Sequence, residues 1–383
     1  MGAPLPTAEL PAMNLPATDL PAQHRDLRAR FRAGQRAALP RVISIVENQR
    51  EGFQGILHEL HTGTGGSRRI GITGPPGAGK STITAALIER LRGRGESVGV
   101  IAVDPTSPYT GGALLGDRIR MNEVAQGEGV FIRSMATRGA LGGIAAATRE
   151  SMDVLAAFGF DVIIVETVGV GQSELDIAAA ADTTVVVLVP ESGDSIQTMK
   201  AGLMEAADMF VVNKADRPGA QRLAKEVEMM LHLRLGETMR NVPAHHGVQL
   251  NRARTARSKL ADRRAREGGG VEVREPRDAP SPGREPWAIP VLLTTAETGK
   301  GVDELVAKLD DHRAWLGSSG ELGRRRRARL EERVRDAVQQ RLLVRAWQDG
   351  PGSRILEESL PDLESGRTTP YEVAARIVRA AGG

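Results

Sequence analysis

Gly74-Pro75-Pro76-Gly77-Ala78-Gly79-Lys80-Ser81-Thr82 combines three glycines with a lysine and two hydroxyls in the spacing G-x-x-x-x-G-K-[ST]. The glycines allow a tight turn that brings several backbone N–H groups onto phosphate oxygens. In such a loop Lys80 reaches the outer phosphates and the Ser81 hydroxyl ligates Mg2+. Upstream, 69–73 reads as a short apolar strand. Downstream, Ile83, Leu87, Ile88 and Leu91 fall at helical spacing. The phosphates of a nucleotide would therefore meet a helix N-terminus, where orphan amides and the macrodipole favour anions.

Working outward, 67–215 alternates apolar runs with helical stretches. Strand candidates are 69–73, 98–103, 130–134, 161–166, 184–189 and 209–213, with a last one at 289–294. The pattern predicts an α/β fold of the P-loop NTPase type, a mostly parallel sheet with helices on both faces. Ligands of such sheets bind at the carboxyl ends of strands. Gly74, Asp104, Glu166, Asp194 and Asn213 all fall at those ends.

Asp104 closes the apolar run 98–103, beside the expected phosphates, where a divalent ion needs oxygen ligands. The other reading is a turn aspartate before Pro105. The glycine-rich stretch that follows carries Asp117, which could close on a nucleotide and report its state. Glu166-Thr167-Val168-Gly169 ends the next apolar run. Its carboxylate suits Mg2+ or its water, and Gly169 would let an N–H approach the terminal phosphate. Val170 stands where some such enzymes carry a water-orienting glutamine, which predicts slow unassisted hydrolysis. Asn213-Lys214-Ala215-Asp216 matches N-K-x-D. The Asp216 carboxylate can accept two parallel hydrogen bonds from guanine N1–H and the 2-amino group, a donor pair adenine lacks. Asn213 would steady the loop and face the other base edge. Thr295-Ala296-Glu297 resembles a backbone loop that cups guanine.

The flanks divide the chain further. Leu-Pro recurs every five residues through 1–22, which predicts a disordered or polyproline-like tail. Residues 23–66 read as a helical segment, with a stripe at Leu39, Val42, Ile43 and Val46 and Pro40 in a first turn. The GTPase-type domain spans 67–316, interrupted by an Arg-, Gly- and Pro-rich insertion at 251–286. In 317–383, Leu330, Val334, Val338 and Leu342 suggest an exposed amphipathic helix, either a dimerisation arm or a helix packed on its own domain. A second short helix is expected at 371–378.

Bulk properties narrow the classes. With 51 Lys and Arg against 48 Asp and Glu the net charge is only slightly positive, but the abundant, clustered arginines leave nucleic acid open as a partner. Its clustered arginines read more readily as solvated faces. The absence of cysteine excludes disulfides and thiolate metal sites. No run is long and apolar enough to span a membrane, and no secretory signal is evident. A cytoplasmic protein is expected.

Together these motifs resemble the MeaB/ArgK family, the methylmalonyl-CoA mutase-associated GTPases. The resemblance runs from about residue 39 to 316. It rests on the phosphate loop, Asp104-Pro105-Thr106-Ser107, Gly111-Gly112-Ala113-Leu114-Leu115-Gly116-Asp117-Arg118, Arg138-Gly139-Ala140-Leu141-Gly142-Gly143, Glu166-Thr167-Val168-Gly169-Val170-Gly171-Gln172-Ser173-Glu174 and Asn213-Lys214-Ala215-Asp216. It implies a GTPase, usually a homodimer, that chaperones an adenosylcobalamin-dependent acyl-CoA mutase and gates its cofactor loading. It further implies phosphate and Mg2+ roles for Lys80 and Ser81, with Asp104, Asp117 and Glu166 around the metal. A further switch is implied at 194–200, with Asp194, Gln197 and Lys200. The Leu-Pro tail, the 251–286 insertion and Thr295 in place of a serine depart from that pattern. The alternatives are a nickel-type metallochaperone GTPase, for which no His-rich tract is present, and a transport-associated ATPase or kinase, against which Asp216 speaks.

Overall fold

The computed structural model describes residues 22–61, 66–104, 127–136, 143–167, 179–190, 201–235, 286–347 and 350–382. Among the described residues seven strands form one sheet: β1 (Arg68–Thr73), β2 (Val98–Asp104), β3 (Val130–Ala136), β4 (Val162–Thr167), β5 (Thr183–Leu188), β6 (Met209–Val212) and β7 (Val291–Leu293). Their order is β3-β2-β4-β1-β5-β6-β7, every pairing is parallel, and all seven sequence-predicted strands are present. The strand feeding the phosphate loop lies at the centre. Its neighbours β4 and β5 come from either side of a crossover, which opens a crevice at the carboxyl edge.

Burial on both faces explains why these strands read as continuous apolar runs: β4 and β5 are buried at every position. Alternate residues divide between two cores. Val162 and Ile164 face the cluster that includes helix α4 (Lys80–Gly93), whose Ile83, Leu87, Ile88 and Leu91 are fully buried. Each such side chain contributes about 1.5–3 kcal/mol. Ile163 and Val165 face the opposite cluster, built with the N-terminal helices α1 (Ala22–Arg32), α2 (Leu39–Glu47) and α3 (Phe53–Leu60) and with α5 (Gly143–Phe158). The predicted stripe Leu39, Val42, Ile43 and Val46 is buried there, and Pro40 lies in the first turn of α2. Short α6 (Ala201–Ala206) precedes β6, and α7 (Ala220–Leu235) covers a third cluster under β5 and β6.

The C-terminal region holds four helices: α8 (Val302–Ser319), α9 (Glu321–Trp347), α10 (Gly352–Glu364) and α11 (Pro370–Gly382). Helix α10 was not expected from the sequence, because Pro351, Gly352 and an internal Pro361 read as punctuation. The reading of clustered arginines as a solvated face also needs correction. Arg325 bonds Asp208, and Arg326 and Arg329 both bond Asp182. Arg333 lies 2.7 Å from Asp153, and Arg326 Nη2 donates to the Ser67 carbonyl at 3.0 Å. Asp182, Asp208 and Ser67 immediately precede β5, β6 and β1, so these arginines clamp α9 onto the amino edge of the sheet. Burial opposes ionisation of Asp182, but the Arg326 and Arg329 guanidiniums hold its carboxyl below the usual range. Among the described residues, no helix is long and apolar enough to cross a membrane.

Candidate nucleotide-binding site

The loop between β1 and α4 gathers at the carboxyl edge. Gly74, Gly77 and Gly79 all have positive φ, of 138°, 74° and 83°. At Gly74 a Cβ would strike the Val187 carbonyl of β5; at Gly79 it would strike Asn213 Nδ2. Only glycine satisfies both the dihedral and the space there. Lys80 opens α4 and is 6% exposed; its Nζ donates to the carbonyls of Gly74 and Pro75, each at 2.9 Å. The ammonium is thus folded back over the loop, at the end of a helix whose first-turn amides have no intrahelical acceptor.

Glu166, next to last in β4, pairs in register with Ile72 of β1 and Ala102 of β2. Its carboxylate is buried and meets two hydroxyls of α4: Ser81 Oγ, also part of the loop motif, donates to Oε1 at 3.0 Å and Thr84 Oγ1 to Oε2 at 2.6 Å. Asp104 ends β2 on the same edge, one position beyond the Val103↔Thr167 pairing. Asp117, Gly169 and the stretch holding Asp194, Gln197 and Lys200 lie outside the described residues.

Asn213 joins the two halves of the cleft. Its Nδ2 donates to the Ala78 carbonyl of the phosphate loop at 2.9 Å. Its Oδ1 accepts from Thr294 Oγ1 and from the Ala296 N–H, both at 3.1 Å. The backbone supports the arrangement: Asn213 N–H donates to Leu188 O, and Ala215 N–H to Thr294 O. Lys214 holds a left-handed φ of 57°, which turns the chain between Asn213 and Asp216. Thr295 and Lys300 form a bridge that closes the last loop, bringing Ala296 and Glu297 opposite Asp216 in the same cleft. That cleft has a volume of about 390 Å³. It is lined by Pro76, Gly77, Gly79 to Thr82, Thr167, Asn213, Lys214, Asp216, Arg217 and Thr295 to Glu297.

The structure thus brings together the phosphate loop, N-K-x-D and the last loop, over 200 residues apart in sequence. Sequence reasoning missed Thr84, Thr167, Arg217 and Thr294. Arg217 follows N-K-x-D directly and could have been noticed; the threonines carry no signal outside their tertiary contacts.

Ser81 and Glu166 supply oxygen donors beside the phosphate loop, the chemistry a hard cation needs. Mg2+ is commonly held by one or two carboxylates together with phosphates. Among the described residues no cluster of three His, Cys, Asp or Glu side chains is placed to hold a metal ion.

A central phosphate loop on a parallel sheet, tied through Asn213 to the loops at 213–216 and 294–297, defines a P-loop nucleoside triphosphatase. The chain belongs to the family of Methylmalonyl Co-A mutase-associated GTPase MeaB, whose model matches residues 39–350, and it is a GTPase that binds GTP and GDP. It is 45% identical to a Pyrococcus abyssi protein named as a GTPase, over 82% of this chain and 83% of that one. It is 32% identical to GTPase ArgK of Escherichia coli, over 89% and 91%. It is also 30% identical to the mouse mitochondrial methylmalonic aciduria type A homolog, over 91% and 77%. A crystal structure of an LAO/AO transport system kinase is similar with a TM-score of 0.61 and 25% identity, covering 94% of this chain and 98% of that one.

Proposed function

We propose that this GTPase is the chaperone of an adenosylcobalamin-dependent acyl-CoA mutase of the methylmalonyl-CoA mutase type, coupling GTP binding and hydrolysis to cofactor loading and protection. The observation that carries the reading is the family match over 39–350, whose description names the mutase. The name of the mouse relative, a methylmalonic aciduria type A homolog, points to the same metabolism.

In this reading the first-turn amides of α4 and Lys80 bind the phosphates. Asp216 reads the guanine edge, and Ala296 and Glu297 close over the base. Ser81 would hold Mg2+, with Glu166 behind it and Asp104 and Asp117 completing the metal side; Gly169 would approach the terminal phosphate. When bound, Mg2+ neutralises charge that develops on the phosphoryl oxygens. Lys80 adds charge at the same oxygens from a preorganised position. The stretch with Asp194, Gln197 and Lys200 would relay nucleotide state to the mutase. The protein acts in the cytoplasm as a homodimer. Supporting the dimer, a groove of about 620 Å³ between α9, α10 and α11 is lined mainly by apolar side chains, among them Val334, Val338, Leu342 and Ile377.

Affinity capture from the source cell, with the protein loaded with GDP or a non-hydrolysable GTP analogue, tests the partner. An acyl-CoA mutase retained in a nucleotide-dependent manner supports the reading; its absence in both states overturns it. Calorimetry with GTP and ATP tests the pocket separately, with selectivity for GTP lost in Asp216→Asn.

A further inference from the structure

Thr84 lies outside the phosphate-loop motif, yet it is fully buried and its hydroxyl meets Glu166 Oε2 at 2.6 Å. Ser81 and Thr84 share one face of α4, since positions three apart lie one above another on a helix. The Glu166 carboxylate is therefore gripped from one helix at both oxygens, by Ser81 at Oε1 and Thr84 at Oε2. Its backbone is already fixed between β1 and β2, so only its side-chain torsions remain to be set.

We infer that Thr84 is a positioning residue, whose hydroxyl locks the Glu166 carboxylate so that Oε1 orients the Ser81 hydroxyl toward the divalent cation that accompanies the nucleotide. The inference rests on the reading of Ser81 and Glu166 as the metal side of the cleft. A serine hydroxyl has one proton and two acceptor lone pairs. With its proton directed at Oε1, the lone pairs of Ser81 are turned away from Glu166, and Ser81 lines the cleft. A carboxylate held at one oxygen alone can swing about its last torsion, which is broad. The second donor removes that freedom. Such outer partners of a ligating group tune metal affinity without touching the metal.

The experiment compares Thr84→Val, which keeps volume but removes the donor, with Thr84→Ser, which restores it. GDP binding is titrated with Mg2+, and GDP affinity is measured separately in EDTA. In Thr84→Val the Mg2+ concentration at the midpoint should rise about tenfold or more, while affinity in EDTA is unchanged. Thr84→Ser should return the midpoint to the parent value. Glu166→Gln serves as the reference for the metal side and should move the same midpoint at least as far. A shift in Glu166→Gln but none in Thr84→Val would make Thr84 a packing residue only. Equal losses with and without Mg2+ in Thr84→Val would also overturn the inference, since they would show damage to the loop itself. No shift in either variant would overturn the metal-side reading and the inference with it.

Discussion

Arg325 and Asp208 form a two-point ion pair, with Nη2 2.9 Å from Oδ1 and Nη1 3.0 Å from Oδ2. The two side chains are 8% and 6% exposed. Burial works against the charge on Arg325, but Asp208 and Glu321 more than offset it and raise its pKa. The pair ties α9 to the residue before β6, whose other end leads into Asn213. Removing one partner strands a buried charge, so Arg325→Ala should cost about 3–5 kcal/mol. Replacing both, as Arg325→Met with Asp208→Leu, should cost much less. Urea unfolding gives the stabilities. GDP titration of the folded variants should show unchanged affinity, because the pair sits on the edge opposite the cleft.

Glu150 on α5 buries Oε2 without a hydrogen bond. Burial raises its pKa to about 7; Asp153 adds to the rise, while Arg333 and Arg149 oppose it. The folded state therefore holds this proton more tightly than the unfolded chain, near 4.5. Its contribution is complete below that value and is lost as pH rises through about 7. Glu150→Gln should be the more stable protein at pH 8, by about 1–3 kcal/mol, with the difference vanishing towards pH 4.5. Unfolding midpoints across that range measure it.

His312 gives the opposite slope. It is fully buried, its Nδ1 lies 2.9 Å from Thr183 Oγ1, and its ring packs against both Trp287 and Trp315, which also contact each other. Burial lowers its pKa to about 4 despite Asp208 nearby. The depressed folded value means that its contribution is present above pH 6.5 and is lost as pH falls towards about 4. A His312→Gln variant should lose less stability than the parent between those values, by about 1–3 kcal/mol. Acid-unfolding curves decide it.

Gly77 and Gly79 share left-handed dihedrals, but only Gly79 faces a neighbour, Asn213 Nδ2. Gly77→Ala should cost about 1–2 kcal/mol of strain in the folded protein. Gly79→Ala should cost more, because it also pushes Asn213 off the Ala78 carbonyl and misaligns the base-edge loops. GDP affinity should fall further in Gly79→Ala than in Gly77→Ala, as calorimetry would show.

Val338 and Leu342 are 51% and 60% exposed along α9, beside the apolar groove. If two copies meet there, Val338→Asp with Leu342→Asp should yield a monomer by analytical ultracentrifugation. GTP affinity should be retained, since neither residue approaches the cleft.

Much of the fold was legible because doubly covered parallel strands must be apolar throughout, and because the motifs fall where those strands end. The helix carrying Ile83 to Leu91 announced itself by spacing alone. Helix α10 did not, since Pro361 reads locally as a helix breaker, and what favours a helix there is the packing of its other face against α11 and α9. Asp216 and Lys80 could be named from local context, and both line the cleft. The partners that set them, such as the Asn213 amide spanning Ala78 and Ala296, could not.

The order of residues along the chain was enough to establish a phosphate loop, seven strands and an N-K-x-D motif at the end of one of them, because each depends on neighbours within a few positions. Folding in three dimensions alone settled that the arginines of α9 grip carboxylates at the amino edge and that Thr84 reaches Glu166. These are contacts between residues 82 to 147 apart. An arginine looks the same in sequence whether water or a buried aspartate receives it; only the packed chain excludes the water.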